Sequence, residues 1–542
     1  MTISTSNGPA AAPPSPRADA GPVAGTTPAG PAPAPAVAFP AEPPRTLWSR
    51  FIILVLCLAV VLSTLAFGTV HSWSLAVFQA GACVVVLLWM MDAWRTGTLR
   101  LSRNVLQWPL LGLFALGLAQ LLPLGGGDAA GATGAPVSEA ARSLSFHPYA
   151  TRLVLVQILS LFVYFAAALA FIDTPRRLRL VVRAVVVFGF VLALFGLMQH
   201  FISPGLIYWV REPKQATPFG PYINRHHFAG YMELTLAVPL GLIFSGGVAR
   251  ERIPLYAFAV AIMCIALVMT NSRGGMLSMA AEMVFLVLAA SAAGRGASER
   301  EGRGGEGRGR RVRAVAARAA VGLSMVAVVL VGVLYFGGEE SLSRLVGTVN
   351  AQDPTTGRAH FWKGTIELIK DHPVAGVGLG AFSAAYPLYD TANGNFRLEQ
   401  AHNDYLQILS DGGLIGGALG LAFVVALFWM AFKRIRSPDK FRRGVALGAL
   451  AGCFGVLVHS FFDFTLHTTA NALLFLVLAA LATMNGRVEE AESGQRRQRR
   501  RRRRRSTIAE PNESAMPGTG RRPENKGAAA GAAGAVAPAH AD

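Results

Sequence analysis

The run "FIILVLCLAVVLSTLAF", residues 51–67, holds seventeen residues without a charge. Uncharged stretches of about 18 residues are long enough to cross a bilayer as a helix. Runs of this kind recur along the 542-residue chain, of which 52% is hydrophobic. About 45 residues precede the first run, whereas a secretory leader begins with a short basic region beside its apolar stretch. The run is therefore expected to stay in place as a span.

Twelve such segments are expected as helices: roughly 51–67, 73–91, 105–123, 153–172, 180–202, 228–246, 253–270, 275–293, 319–336, 413–432, 443–462 and 468–484. The expected fold is an all-α, polytopic membrane bundle. Lys and Arg collect in cytoplasmic loops. The even-numbered loops carry Arg95, Arg100 and Arg103; Arg176, Arg177 and Arg179; Arg250 and Arg252; the arginines of 295–318; and Lys433, Arg434, Arg436, Lys440, Arg442 and Arg443. That pattern predicts both termini in the cytoplasm. It leaves three long outer loops, 124–152, 203–227 and, between helices nine and ten, 337–404. Long loops on a tight bundle are often functional.

Residues 1–46 are rich in Pro and Ala and are expected to be disordered. The membrane domain is expected over 47–485, followed by an Arg-rich cytoplasmic tail, 486–542. The formal charge of +19 is concentrated in "RRQRRRRRRR", residues 496–505, and in 295–318. It is not spread over a surface as nucleic-acid binding requires, so no nucleic-acid partner is expected. Membrane lipids are expected partners, and the tail either binds their anionic head groups or enforces topology. Cys57, Cys83, Cys264 and Cys453 all lie in apolar runs without a CxxC pair, which argues against disulfides and against a cysteine metal site.

Polar residues gather on the outer side. In "TNSRGGM", residues 270–276, a tight turn holds Arg273 close to the membrane surface. In "PFGPYINRHHFAGYMEL", residues 218–234, Asn224 is placed to cap the sixth helix. Arg225, His226 and His227 then lie at its N-terminus, where the helix dipole favours anions. Adjacent histidines do not share a helix face, so this pair does not suggest a metal site. "RAHFWKGTIELIK", residues 358–370, has helical spacing with Arg358 at its start. "GVGLGAF", residues 376–382, has no strand before it and reads as a glycine-rich turn rather than a nucleotide loop. "AHNDYLQILSDGG", residues 401–413, reads as a short helix broken at Gly412 and Gly413. His402 lies at its start, able to accept a proton near neutral pH, with Asn403 and Asp404 as candidates to orient it. In "HSFFDFTLHTTAN", residues 459–471, His459, Asp463 and His467 are candidates for lining or pairing, beside the plainer reading of packing and interface anchoring. An outward constellation is cut off from cytoplasmic ATP, so group transfer there needs a substrate that carries its own activation. A lipid-linked sugar diphosphate fits, and its phosphates suit arginine forks.

The order of "FGPYINRHHFAGYMEL", "NSRGG", "TGRAHFW", "GVGLGAF" and "AHNDYLQILSDGGLIG" resembles the O-antigen ligase and O-antigen polymerase superfamily. "LAFGTVHSWS" (65–74) and "LSFHPYATR" (144–152) are similar to stretches of some members. The resemblance implies a metal-independent, inverting glycosyltransferase without a cofactor, in the bacterial inner membrane. It implies an undecaprenyl-diphosphate-linked glycan as donor, and a glycan, a lipid A core or a protein hydroxyl as acceptor. Carried over by motif, it implies His402 as general base and Arg273 and Arg358 as stabilisers of the leaving diphosphate. Arg225, Asn224 and Asn403 follow as substrate-binding residues. Where many members have Asn-Arg-Asn-His, this chain has Asn224-Arg225-His226-His227. Two other classes are compatible with the sequence: a polytopic transporter of a small anion, which would place its ionisable groups near mid-membrane, and an envelope-assembly scaffold.

Overall fold

The computed structural model describes residues 46–123, 143–214, 216–300, 358–391 and 398–484, with isolated helical positions between 316 and 327. The expected ninth span, the first part of the long outer loop and both tails lie outside the described residues. The described residues form thirteen α-helices: α1 Leu47–Leu65, α2 Ser72–Thr96, α3 Gln107–Gln120, α4 Pro148–Phe171, α5 Pro175–Ile202, α6 Arg225–Ser245, α7 Ile253–Met269, α8 Arg273–Arg300, α9 Arg358–Asp371, α10 Phe382–Ala385, α11 Asp404–Arg434, α12 Lys440–His459 and α13 Thr469–Thr483. No strand occurs among the described residues.

Eleven of the twelve expected spans coincide with a described helix. Nine described helices are long and apolar enough to cross a membrane. Helices α3 and α13, at 14 and 15 residues, fall short of the ~20 residues that a 30 Å hydrocarbon layer asks for. The exposure of the longer helices suits lipid. Large apolar side chains such as Leu87, Met90, Val187 and Leu255 project outward, which water would penalise and hydrocarbon does not.

The interior is built around α6 and α12. Gly444, Gly448 and Gly452 recur every four residues, so they share one face of α12. A Cβ on Gly448 would lie 2.5 Å from the Ala237 carbonyl, and one on Gly452 would lie 3.2 Å from that of Leu234. The two backbones therefore touch, as small residues allow in membrane bundles. This contact brings the α6 N-terminus and the α12 C-terminus to the same end of the bundle.

Helix α11 breaks where the sequence predicts. Gly413 adopts φ 59°, ψ −159°, a region open only to glycine. The amides freed by the break are not orphaned. Leu414 N–H donates to the Pro373 carbonyl at 2.7 Å and Ile415 N–H to the Val374 carbonyl at 3.2 Å. The Gly376–Gly380 turn fills the other side: Val377 N–H reaches the Ser410 carbonyl at 2.9 Å and Gly378 N–H that of Asp411 at 3.0 Å. Gln120 of α3 completes the junction, donating to the Ala375 carbonyl at 2.6 Å and accepting from Leu379 N–H at 2.9 Å. "GVGLGAF" is thus a turn that closes a broken helix. Beside it Leu368, Val377, Phe382, Tyr386 and Ala401 form a small separate core, which steadies α9 and the approach to His402.

Gly413→Ala places a Cβ against the Val374 carbonyl in a disfavoured backbone region, at a cost of about 1–3 kcal/mol or more. A clear drop in Tm of the purified protein is expected. Gly420→Ala, with open space around its Cβ position, is expected to be neutral or to stabilise by up to about 1 kcal/mol; equal Tm values for the two variants would refute this account of the break.

Candidate functional site

The site forms where four elements end. Asn403 caps α11: its Oδ1 accepts from the amides of Tyr405 and Leu406 at 2.9 and 3.1 Å, and its Nδ2 donates to the Phe461 carbonyl at 3.1 Å. The cap turns the chain sharply, and His402 before it takes a left-handed φ of 53°, an uncommon choice for a residue with a Cβ. His402 is held between rings, with Phe464 at 4.8 Å edge-to-face and Phe361 of α9 at 6.3 Å. Its side chain remains about a quarter exposed.

Helix α9 is fixed to the same place by Trp362, whose indole N–H donates to the Ala401 carbonyl at 3.2 Å. Arg358 at its start donates to the Phe462 carbonyl and lies 3.3 Å from Asp463 Oδ2. His402 Nδ1 approaches Asp463 Oδ1 to 3.5 Å. From α6, His226 Nδ1 lies 3.9 Å from Asp463 Oδ2 and 2.8 Å from Ser272 Oγ.

Asp463, on the turn after α12, is therefore the centre of the cluster. It is 1% exposed, and Phe464 N–H also donates to its Oδ1 at 2.9 Å. Burial alone would push its carboxyl up. The contact with His402 and the charges of His226, Arg358 and His227 outweigh burial and hold it well below the usual carboxylate range.

Of the residues expected from sequence, His402 and Arg358 meet on one carboxylate. Arg273 opens α8 between Ser272, which is bonded to His226, and Gly274, whose Cα faces the His459 ring and the Phe462 side chain. Its backbone thus borders the same cluster. Arg225 follows the α6 cap, its amide donating to the Thr217 carbonyl at 2.9 Å. The Asn224 side chain accepts from the His226 amide at 2.9 Å. Both asparagine side chains are engaged as helix caps.

One expectation is corrected. Asp404 does not orient His402. It clamps the α12–α13 connection instead, taking His467 Nδ1 at 2.7 Å, Ser460 Oγ at 2.8 Å and the Leu466 amide at 3.3 Å. Asp463 has the orienting place. Sequence reading took Asp463 only as a candidate for lining or pairing, placed His226 at the α6 N-terminus without a role, and passed over Ser272. The available signal was a lone acid inside "HSFFDFTLHTTAN", among rings and on the same outer side as His402.

Chemically the cluster offers a partly exposed imidazole backed by a buried carboxylate, with guanidinium groups on the surrounding elements. That set suits proton abstraction next to a bound anion. Among the described residues, no three His, Cys, Asp or Glu side chains are grouped to hold a metal ion.

The O-antigen ligase family model matches residues 258–421, a stretch that includes Arg273, Arg358 and His402. The exopolysaccharide production protein ExoQ of Rhizobium meliloti (strain 1021) is 30% identical over 122 residues, covering 21% of this chain and 27% of that protein. The match thus spans little more than a quarter of that relative. Both findings support the O-antigen ligase/polymerase family for this chain.

Asp463 has its lowered value only in the folded state. Its stabilisation is therefore fully present above the ordinary carboxylate value near 4 and is lost as the pH falls through the folded one. Asp463→Asn removes the charge from a buried pair and is expected to cost on the order of 3 kcal/mol. The expected result is a lower Tm at every point between roughly pH 5 and 8, with the gap to the parent narrowing only in stronger acid. A variant as stable as the parent at neutral pH would show that these contacts contribute nothing net.

Proposed function

We propose that this chain, a multi-pass membrane protein with O-antigen ligase-family similarity, is a glycosyltransferase of the bacterial inner membrane. It moves a glycan from an undecaprenyl-diphosphate carrier to an acceptor hydroxyl at the outer face. The observation that carries the reading is the meeting of His402 and Arg358, from separate elements, on the buried carboxylate of Asp463. A general base needs a partner on its far nitrogen to hold the ring and to stabilise the imidazolium that forms. Asp463 faces Nδ1, which leaves Nε2 for the acceptor.

In this mechanism the acceptor hydroxyl gives its proton to His402. The oxygen attacks the anomeric carbon from the side opposite the diphosphate, which inverts the configuration. Arg358 and Arg273 stabilise the charge that grows on the departing phosphates, and Arg225 assists from the α6 N-terminus. Asn224 and Asn403 act as caps that aim Arg225 and His402. No metal or cofactor takes part in these steps. The donor brings its own activation, as chemistry outside the cell requires.

The reading goes with a topology of twelve spans in a membrane domain over 47–485, both termini cytoplasmic, and the site on the periplasmic side. The arginine-rich even loops support that orientation. The acceptor class is open among a lipid A core, a growing polysaccharide and a protein hydroxyl. Deleting the gene and resolving surface glycans on gels separates them, by loss of long-chain lipopolysaccharide, of secreted polymer or of glycoprotein. Unchanged surface glycans would overturn the proposal.

His402→Ala is expected to reduce transfer by about 10²–10⁴-fold while membrane insertion is unaffected; full activity in a membrane-based transfer assay would remove His402 from the mechanism. Arg273→Lys keeps the charge but not the two-pronged donor, so a loss of roughly tenfold or more is expected. Unchanged turnover would argue against diphosphate binding there.

A further inference from the structure

Behind the outward cluster lies a second set of ionisable groups that the proposed mechanism does not use. Glu233 of α6, His459 of α12 and Glu282 of α8 are all fully buried. His459 Nδ1 lies 2.9 Å from Glu233 Oε1. The second Glu233 oxygen, His459 Nε2 and both Glu282 oxygens have no hydrogen-bond partner among the described residues. Ionisable side chains inside membrane spans are costly and mark functional positions.

Helix α12 connects this set to the outward cluster. The Glu282 carboxyl rests against Gly455, its Oε2 2.8 Å from the place of a Cβ. His459 follows four residues later and Asp463 four after that. These positions share a face at a spacing of about one helical turn. The Asp463 amide donates to the His459 carbonyl at 3.1 Å and the Phe462 amide to the same carbonyl at 2.8 Å. His459 therefore holds the turn that presents Asp463 and the Phe462 carbonyl to Arg358. Its ring also faces Gly274, next to Arg273.

Charge balance limits how these groups can ionise. A buried carboxylate without a cation or donor is strongly disfavoured, so Glu282 keeps its proton. Glu233 and His459 stay neutral as a pair by sharing one proton, either as two neutral groups or as carboxylate and imidazolium. The other titratable groups that act on His459 are His226 and His227 from α6, Asp463 beyond the end of α12, and Asp404 of α11. Those near Glu282 are Glu233, Cys264 of α7 and Cys453 of α12.

We propose that Glu233, His459 and Glu282 form a proton-binding site inside the bundle, one helical turn behind the transfer site, in which Glu282 stores one proton and the Glu233–His459 pair a second. The site's function rests on the transfer reading above; its existence does not. Loss of the pair's proton to water leaves a bare carboxylate one turn from Asp463, with His459 no longer able to balance it. Repulsion then disturbs the turn that carries Asp463, so Glu233 and His459 act as positioning residues for His402 and Arg358.

Two measurements test this. Infrared spectra of the full-length protein in lipid nanodiscs, at neutral pH, are expected to show the carbonyl stretch of an un-ionised carboxylic acid that is absent from Glu282→Gln. Gln is isosteric with the protonated acid, so packing is retained. Spectra that coincide in this region overturn the proton site whether or not the protein transfers glycan. The second measurement is transfer as a function of pH. Glu233→Gln has no carboxylate to lay bare when the pair's proton leaves, so the alkaline fall in activity is expected to move to higher pH by about one unit or more, or to vanish. A profile that superimposes on the parent overturns the positioning role. An inactive parent counts against the transfer reading instead and leaves the infrared result to decide the proton site. If Glu233→Gln does not fold, that same comparison decides.

Discussion

The arrangement depends on one buried anion. Asp463 has almost no access to water, and a carboxylate in that position is unstable unless cations surround it. Here its partners come from elements far apart in the chain: the Arg358 guanidinium from the start of α9, the His402 ring from the turn before α11 and the His226 ring from the start of α6. The same carboxylate therefore assembles the site and sets its electrostatic character, with positive groups left facing outward where a diphosphate could lie.

Membrane packing gets those elements to the same place. In lipid, apolar side chains gain little by choosing each other over hydrocarbon, so close backbone contact and polar contacts decide how helices pair. The glycine face of α12 against α6 supplies the first. It fixes the α6 N-terminus beside the α12 C-terminus before any side chain at the site is considered. The junction of the broken α11 with the Gly376–Gly380 turn supplies the second, since the Leu414 and Ile415 amides beyond Gly413 find carbonyls in the 373–374 segment. A break with unpaired amides would be untenable at the edge of a bilayer, so the turn and the break require each other.

This explains what the sequence could reveal. The spans were legible because a hydrocarbon layer demands long uncharged runs, and no tertiary contact changes that demand. The caps at Asn224 and Asn403, the break at "DGG" and the turn at "GVGLGAF" were legible because each is a local solution to a local backbone problem. The bounds of α5 were less so: Arg176, Arg177 and Arg179 read as loop, yet they lie within its first turns, with Arg177 paired to Asp173 at 2.9 Å. Orientation of His402 was the wrong guess. Asp404 is nearer in sequence, but the α11 helix carries its side chain away toward His467. Asp463 is 61 positions further on and close only through the packing of α12 and α13. No pattern within "HSFFDFTLHTTAN" distinguishes an acid anchored at an interface from one at the centre of a site.

The buried acids extend the same logic inward. A chain that had only to cross the membrane would leave positions 233, 282 and 459 apolar, since each polar group there weakens insertion. Their cost is lowered by mutual contact and by retained protons, both of which depend on the helices being packed. Along α12 the environment changes by steps: an acid at Gly455 without a hydrogen-bond partner among the described residues, an acid paired with a histidine at His459, and a carboxylate beside the Arg358 guanidinium at Asp463. All of these acids are buried, so it is the Arg358 guanidinium, and not water, that lets Asp463 hold a negative charge. On the proposed mechanism the donor diphosphate lies at the outer end of that face, beyond Asp463, where guanidinium groups stabilise the charge that leaving-group departure creates.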